Sequence, residues 1–556
     1  MADTSSTPPI RRWQMLEPLR EPTFRMIWVA SLLSNFGQLI QGVGAAWEMT
    51  RLTSSATMVA LVQTAMMLPL MLVAVPAGAI ADMFDRRKVA LIGLCFAMLC
   101  AATLAVLGWL GLATPWVLLA FCSLIGTGVA LYGPAWQASV REQVNPDQLL
   151  AAVALSSVSY NIARSFGPAL GGVIVATVGA MAAFAVNAVF YVPLLAAFFF
   201  WKRQHVPPRL PPERLHRAIV SGVRYAIHSP PIRTVMVRAF AFGLTAASTW
   251  ALTPLVARDL LKGDASTYGL LLGAQGVGSV IGAMLVGQAR ERLKVEHAVC
   301  LCLILGGATV LLLGMSHSLA LSIALLAVTG ACYMLLIPLF NIGVQMSAPR
   351  WVNARALAWF QSSLTGGIAL GAWVWGQAAV HWGVSNALIV SGIAIMLTPL
   401  ISLVLPLPHL PKGEVEVIGI GTEPEVALAI TSRSGPIVIE IDYRVDHAQA
   451  RQFYEIMLKL QSARQRNGAF DWSLSRDIAD PAIWTERYHC PTWADYLHLR
   501  TRFTTADREL QLMADAFHTA DPGGRVRRRL ERPFGSVRWR AETPDPHRDP
   551  LSVYTP

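Results

Sequence analysis

Arg164 is the residue whose surroundings make its charge most expensive. It lies about fourteen residues into an apolar run, 150–175, that holds no other Asp, Glu, Lys or Arg. A guanidinium buried in such a run costs several kcal/mol unless it is matched, so it calls for an anionic substrate, a carboxylate partner or a set of backbone carbonyls. Glu48 ends the first apolar run and has Arg51 three residues on. It is a candidate for binding a coupling proton, or for a simple ion pair with Arg51, and Arg164 is the other candidate for a part in coupling. Asn35, Gln38, Gln41, Gln63, Tyr160, Asn161, Asn341, Gln345 and Gln361 also fall within apolar runs. They are candidates to line a polar cavity, although an interhelical hydrogen bond is the commoner role for each such residue. No catalytic group, metal set or cofactor is expected. His447, His489, His498 and His518 lack ligand spacing, six of the seven cysteines sit in apolar runs, and no G-x-x-x-x-G-K-[ST] phosphate loop occurs.

Two further segments carry patterned residues. The first is Gly78-Ala-Ile-Ala-Asp82-Met-Phe-Asp85-Arg86-Arg87-Lys88. Gly78 permits close helix packing, Asp82 sits at a helix end where it can pair with a cation, and the basic trio makes a positive patch. Such a loop can latch two helix bundles in one state and release them in another. The second is Ala163-Arg164-Ser-Phe-Gly167-Pro168-Ala-Leu-Gly171-Gly172. Its small residues allow close approach, and Pro168 frees a carbonyl and bends the helix.

The elements that hold these residues read as membrane spans. The chain is 54% hydrophobic and 14% charged, against about 25% charged in soluble proteins, and the charges gather in the last 140 or so residues. Runs at 25–48, 56–81, 89–110, 115–138, 150–175, 181–201, 235–257, 266–289, 297–315, 318–345, 355–380 and 385–406 are each long enough to cross a bilayer. Lys and Arg crowd one set of connections, through Arg86–Lys88, Arg141, 202–234, Arg290–Lys294 and Arg350–Arg355. The other set holds Arg51, Arg258 and Lys262. The positive-inside rule makes the first set cytoplasmic, with both termini inside. The net charge of +11 thus reads as a topology signal rather than a nucleic-acid surface. A shift of 204 residues aligns Pro134 with Pro338, Gly167 with Gly371 and Gly172 with Gly376, which predicts two parallel six-helix halves. The expected organisation is a polar N-terminal segment without a signal-peptide core (1–24), a six-helix bundle (25–201), a cytoplasmic loop with an amphipathic helix at Leu215 to His228 (202–234), a second bundle (235–406), a Pro/Gly linker (407–435), a soluble domain (436–532) and a disordered tail (533–556). In the soluble domain, strands at 436–445, 470–477, 483–489 and 526–530 and helices at 446–466 and 491–516 give the order β-α-β-β-α-β, a ferredoxin-like arrangement.

The loop segment, placed between the second and third of twelve runs, resembles the loop signature of the major facilitator superfamily. Its second-half counterpart, Gly287-Gln-Ala-Arg290-Glu-Arg292, lacks the Asp. The span-five segment is similar to that superfamily's antiporter signature, with Ala163 in place of the first Gly. Together with Asn161-Ile162, it resembles the branch that contains enterobactin-type siderophore exporters and permeases known as secretion effectors. The resemblance implies a major facilitator fold and export rather than uptake. The C-terminal domain, with Trp493-Ala-Asp-Tyr-Leu-His-Leu-Arg500 and Thr504-Thr-Ala-Asp507-Arg508, resembles the extension of one subgroup and the dimeric α/β-barrel domains, some of which are monooxygenases. Trp472, Trp484, Trp493 and Phe503 are expected in its core or in a dimer contact.

The sequence therefore predicts an all-α membrane protein of twelve helices in two bundles plus an α+β domain, multi-pass in a bacterial inner membrane. It is expected to be a proton-coupled exporter of a small organic molecule, such as a siderophore, drug or metabolite, and not an enzyme. Its partners would be the lipid bilayer, the substrate, protons and a second copy bound through the C-terminal domain, with no nucleic acid. The competing readings are a membrane-tethered enzyme or sensor acting through the C-terminal domain, and a transporter working in uptake or lipid flipping.

Overall fold

The computed structural model describes residues 14–201, 223–225, 227–349, 352–407, 424, 426–428, 430–519 and 525–531. The front of the expected central loop, most of the linker and the expected tail lie outside the described residues, as do several side chains within helices, Asp82 and Arg290 among them. The chain forms two compact units. The first comprises 1–219, 235–342 and 358–407, and the second 220–234, 343–357 and 408–556.

Among the described residues eleven helices have 21 or more residues. They are α1 (Pro22–Leu52), α2 (Ala56–Met83), α3 (Arg86–Trp109), α4 (Pro115–Ser139), α5 (Leu149–Thr177), α6 (Ala180–Phe200), α7 (Pro230–Leu255), α8 (Ala265–Arg292), α9 (Val295–Met315), α10 (Leu319–Ser347) and α11 (Asn353–Leu397). Their starts follow the local chemistry. Pro22 and Pro115 occupy first-turn positions, where a missing N–H costs nothing. Thr114 and Asp85 cap the first turns of α4 and α3. Prolines stand inside α2, α4, α5, α6, α7 and α10, as helices packed in a membrane tolerate. Pro134 and Pro338, paired by the sequence shift, fall inside α4 and α10.

Nine of the described helices are long and apolar enough to cross a membrane. The twelve spans expected from the sequence differ from that count for two reasons. Helices α1 and α5 are not among the nine, because their polar residues (Asn35, Gln38 and Gln41; Tyr160, Asn161 and Arg164) lower their hydropathy. Expected spans eleven and twelve run together as α11, whose 45 residues would measure about 68 Å, more than twice a hydrocarbon core of about 30 Å. Gly383 interrupts α11 with φ 81° and ψ 159°, a conformation open chiefly to glycine, so two helical stretches meet there. Large apolar side chains such as Leu72, Ile92, Leu99, Phe199 and Met284 are exposed along these helices, the surface a bilayer covers.

Helix α1 packs on α5 and α6, α2 on α4, α3 on α4 and α6, and α5 on α8. One core joins Ile27, Val89, Leu94, Tyr132, Tyr191, Phe198 and Trp201.

In the second unit, strands β1 (Ile437–Arg444), β2 (Phe470–Arg476), β3 (Ile483–Cys490) and β4 (Val526–Leu530) form an antiparallel sheet in the order β2-β3-β1-β4. Helix α12 (Ala450–Asn467) connects β1 to β2. The segment read from the sequence as one helix, 491–516, is two: α13 (Trp493–Thr501) and α14 (Thr505–Asp515). Thr504 and Asp507 bond reciprocally as a capping box and start a new helix where the periodicity suggested continuation. Alternate β1 residues Ile437, Ile439, Ile441 and Tyr443 enter a core with Phe453, Met457, Leu460, Tyr488 and Trp493.

Candidate functional site

Arg164 is residue sixteen of the twenty-nine in α5. Its Nη1 lies 3.8 Å from the Met334 sulfur on α10. No carboxylate reaches it among the described residues. Next to it α5 and α8 touch backbone to backbone. A Cβ placed on Gly276 would lie 2.7 Å from Ser165 Cα and 3.0 Å from the Arg164 carbonyl oxygen, and Ser165 Oγ donates to Gly276 O at 3.3 Å. Gln275 on α8 is buried, and its Nε2 has no partner among the described residues.

The remaining glycines of this segment show what the motif does locally. Gly167 and Gly171 face α1, where a Cβ would meet Leu39 at 3.0 Å and Ile40 Cα at 3.1 Å. Gly172 faces α8, where a Cβ would stand 2.5 Å from Gly269 Cα. Pro168 is buried between them.

The predicted cavity residues divide. Gln38 Nε2 donates to the Tyr132 hydroxyl at 2.8 Å, Asn35 Nδ2 lies 3.4 Å from Ser159 Oγ, and Asn187 on α6 donates to Gln41. These tie α1 to α4, α5 and α6. Tyr160 and Gln361 are exposed, and Gln63 and Asn161 are half-buried. Asn341 and Gln345 both have interaction partners.

At the end of the helices that holds residues 53–55 and 261–264, the first six helices close against the later ones. The Arg258 Nη1 donates to Thr50 O at 2.9 Å and Thr53 O at 3.5 Å, carbonyls at the end of α1. Asp259 holds the same guanidinium at 2.6 and 3.0 Å. Arg258 sits in a π-helical turn, Val256–Leu260, a distortion common at functional positions. Trp47 stacks on Tyr268 at 6.2 Å. A Cβ on Gly376 would stand 2.6 Å from Ala60 Cβ. Deeper in, Thr64 Oγ1 donates to Ala369 O at 2.8 Å. Glu48 is buried and pairs with Arg51 at 3.2 Å. A shallow open depression of about 570 Å³ lies at this end, lined by Ser54, Ser55, Asp259, Gly383 and Ser385 among others. None of the predicted cavity residues lines it.

The opposite end differs. Positions 78 and 287, near the ends of α2 and α8, have nothing within 4 Å of the place a Cβ would take among the described residues. The contacts seen for the basic loop lie within the first six helices. Asp85 accepts from the Arg87 and Lys88 backbone N–H groups. Arg86 pairs with Glu142 at 2.9 Å. Arg87 donates to the carbonyls of Phe198, at 2.9 Å, and Phe199, capping the end of α6. Lys88 is exposed, and the Asp82 side chain lies outside the described residues.

Sequence reasoning missed a buried ion pair here. Arg238 of α7, 3% exposed, holds Glu296 of α9 at 2.7 Å, and Glu296 also accepts the Leu407 N–H at 2.9 Å where the chain leaves α11. The signal was Glu296, one residue before the apolar run read as 297–315 and the second residue of α9.

In the second unit Arg464 and Glu486 are fully buried and paired at 3.1 Å. The Trp472 indole N–H donates to Glu486 at 3.0 Å, and the Tyr443 hydroxyl does so at 3.4 Å. Burial alone would depress the guanidinium's pKa, but Glu486, Tyr488 and Tyr443 outweigh it and hold it above its ordinary value. Trp484 and Trp493 join the core, and Phe503 is buried beside Arg464. His489 meets Glu531 and Phe470, and His518 accepts from the Arg444 N–H. Among the described residues no three His, Cys, Asp or Glu side chains cluster as a metal set. Arg224 and Tyr225 of the central segment lie against this domain, with Arg224 near Gly468 O at 3.5 Å and Arg466 over the Tyr225 ring at 5.7 Å.

The geometry agrees with what the chain resembles. The multidrug efflux pump Tap of Mycolicibacterium fortuitum is 24% identical over 392 residues, 68% of this chain and 95% of Tap. The enterobactin exporter EntS of Salmonella typhi is 28% identical over 290 residues, 49% of this chain and 65% of EntS. The fold matches that of a bacterial homologue of the human lysosomal transporter Spinster, with a TM-score of 0.55, 12% identity, and coverage of 70% of this chain and 96% of that one. The model of the transmembrane secretion effector family matches residues 14–534, through the C-terminal domain. The chain belongs to the transmembrane secretion effectors, a family of major facilitator superfamily transporters.

Proposed function

We propose that this transporter exports a small organic molecule by alternating access, coupled to protons. In this reading twelve spans form two six-helix bundles, both termini are cytoplasmic, and a bacterial inner membrane holds the molecule. The observation that carries it is the one-sided closure between the halves. Arg258 on the α1 carbonyls, Gly172 on Gly269, Gly376 on Ala60 and Trp47 on Tyr268 seal the end assigned to the outside. Among the described residues Gly78 and Gly287, near the end read as cytoplasmic, have no such neighbours. The cross-half contacts at the outer end support reading the molecule as a carrier open to the inside. Export is supported by the names of its relatives, a multidrug efflux pump and an enterobactin exporter, and by the Gly-Pro segment of α5.

The roles divide accordingly. The Arg86, Arg87 and Asp85 contacts brace the inner ends of α3, α4 and α6, and Asp82 acts in the switch of the same loop. Glu48 with Arg51 is the proposed proton site, since protonating Glu48 would release the pair. The C-terminal domain, read as ferredoxin-like, serves as an interaction module through which two copies associate.

Everted membrane vesicles from cells making this chain test the reading. Acidifying their interior should drive uptake of enterobactin or ethidium, and collapsing the proton gradient should stop it. Uptake untouched by the collapse sinks the proton coupling, and Glu48→Gln with undiminished coupling removes Glu48 from that role.

A further inference from the structure

Resting on the transporter reading, we propose that Arg164 binds the substrate's charge and that the substrate is an organic anion, carrying a carboxylate or phenolate beside apolar bulk.

Placement comes first. Arg164 stands thirteen residues before Thr177 and fifteen after Leu149, the two ends of α5, so each end is about 20 Å away along the axis. That is farther than an arginine stem can carry its head group to an interface. The charge must be met where it is.

Among the described residues no carboxylate is positioned to meet it. Helices α5, α10 and α11 contain no Asp or Glu, and in α8 the sole carboxylate is Glu291, fifteen residues beyond Gly276. The acidic side chains seen near the helix ends are engaged elsewhere. Glu48 holds Arg51, Glu142 holds Arg86, Asp259 holds Arg258 and Glu296 holds Arg238, while Asp85 and Asp264 accept first-turn N–H groups of α3 and α8. Among the described residues Arg164 has the Met334 thioether at 3.8 Å, a weak acceptor that cannot neutralise it.

A second donor lies at the same level without a partner. Gln275 is 6% exposed, and its Nε2 has no hydrogen bond among the described residues. Gly276, the next residue, packs on the Arg164 and Ser165 backbone. Gly330, one turn before Met334, packs on the Gln275 carbonyl. Among the described residues the junction of α5, α8 and α10 therefore offers a cation and an amide N–H donor with no anionic acceptor. That set suits an oxyanion, which guanidinium grips by paired hydrogen bonds, and it repels a cation.

The test uses the full chain purified in lipid nanodiscs, with anion–amide pairs of nearly equal shape: 1-naphthoate with 1-naphthamide, salicylate with salicylamide, and tricarballylate with its triamide. Calorimetry should find at least one anion bound about tenfold more tightly than its amide, the effect of one charge-assisted hydrogen bond. Arg164→Gln should bring that ratio to about one, and Arg164→Lys should keep part of it. Without ligand, Arg164→Met should melt no lower than the parent, because it removes a half-buried charge that has no anionic partner among the described residues. A lower melting temperature for Arg164→Met, no anion preference in the parent across all three pairs, or a preference that survives in Arg164→Gln would each overturn the proposal. Binding is read without transport. Vesicle transport with no anion preference defeats this inference alone, and anion binding with no vesicle transport defeats only the transporter reading.

Discussion

Replacing Arg258 should loosen the outer seal by an amount the structure specifies. Its Nη1 reaches Thr50 O at 2.9 Å, a good charge-assisted bond, and Thr53 O at 3.5 Å, a marginal one. One such bond to a half-buried charged donor contributes about 1.5 kcal/mol, and the second adds little. The bond joins the two halves, so it exists when the outer end is closed and is lost when it opens. Arg258→Ala should thus raise the outward-open population about tenfold, since about 1.4 kcal/mol is a factor of ten. Ala60 is fully buried behind this seal against Gly376. A cysteine at position 60 in an otherwise cysteine-free chain should react with a membrane-impermeant maleimide, added outside, at a rate proportional to that population. The expected result is an approximately tenfold faster rate in Arg258→Ala. Asp259→Asn should give a smaller increase, because Asp259 orients the guanidinium without crossing to α1. An unchanged rate in Arg258→Ala, or a larger effect from Asp259→Asn, would refute the latch.

Three other outcomes follow from the same contacts. Gly172→Val puts a side chain where Gly269 Cα already stands 2.5 Å from the Cβ site. Overpacking of about 1–3 kcal/mol should fall on the outside-closed state and speed maleimide labelling at position 60; slower labelling contradicts the packing. Glu486→Gln leaves Arg464 buried without its counter-charge, a loss of about 3–5 kcal/mol. Hydrogen exchange across β3 of the full chain should accelerate at least a hundredfold, and adding Arg464→Met should recover much of the loss; unaltered exchange would argue against a buried pair. Burial, helped by Asp495, pushes the Cys490 thiol up from 9.0 to about 12. Because the folded value is the higher one, the unfolded chain gives up this proton first. The thiol's contribution to stability is intact below about pH 9 and is lost as pH rises toward 12. Cys490 should resist alkylation at pH 8 until the domain unfolds, and rapid alkylation of the folded chain would contradict this.

The sequence displayed the helices and the signature segments but not their partners. Asp85 to Lys88 were visible as a motif, yet Arg87 serves the α6 carbonyls of Phe198 and Phe199, which are backbone atoms that side-chain patterns do not encode. Gly172 was legible as a packing glycine, while its partner Gly269 lies in the other half of the chain. Arg258 was read as a topology charge, because nothing in its neighbourhood reveals that α1 ends beside it. The Arg238–Glu296 pair escaped because span seven was begun at residue 235 and Arg238 was passed over near its start. α7 begins at Pro230, which places Arg238 two turns inside. In the C-terminal domain, the Thr504-Thr-Ala-Asp507 capping signature was present but was absorbed into a single helical run. Arg164 was the clearest case, since an uncompensated charge in an apolar run is visible from composition alone.

Alternating access itself is tested most directly by two distances in one molecule. Spin labels at Ser54 and Ser385 report the outer end, and labels at Lys88 and Lys294 report the inner end. In lipid nanodiscs the account predicts a main population with the outer pair short and the inner pair long. It also predicts a minor one with the order reversed, and Arg258→Ala should enlarge it. Two distances that stay fixed, or that lengthen and shorten together, would contradict it.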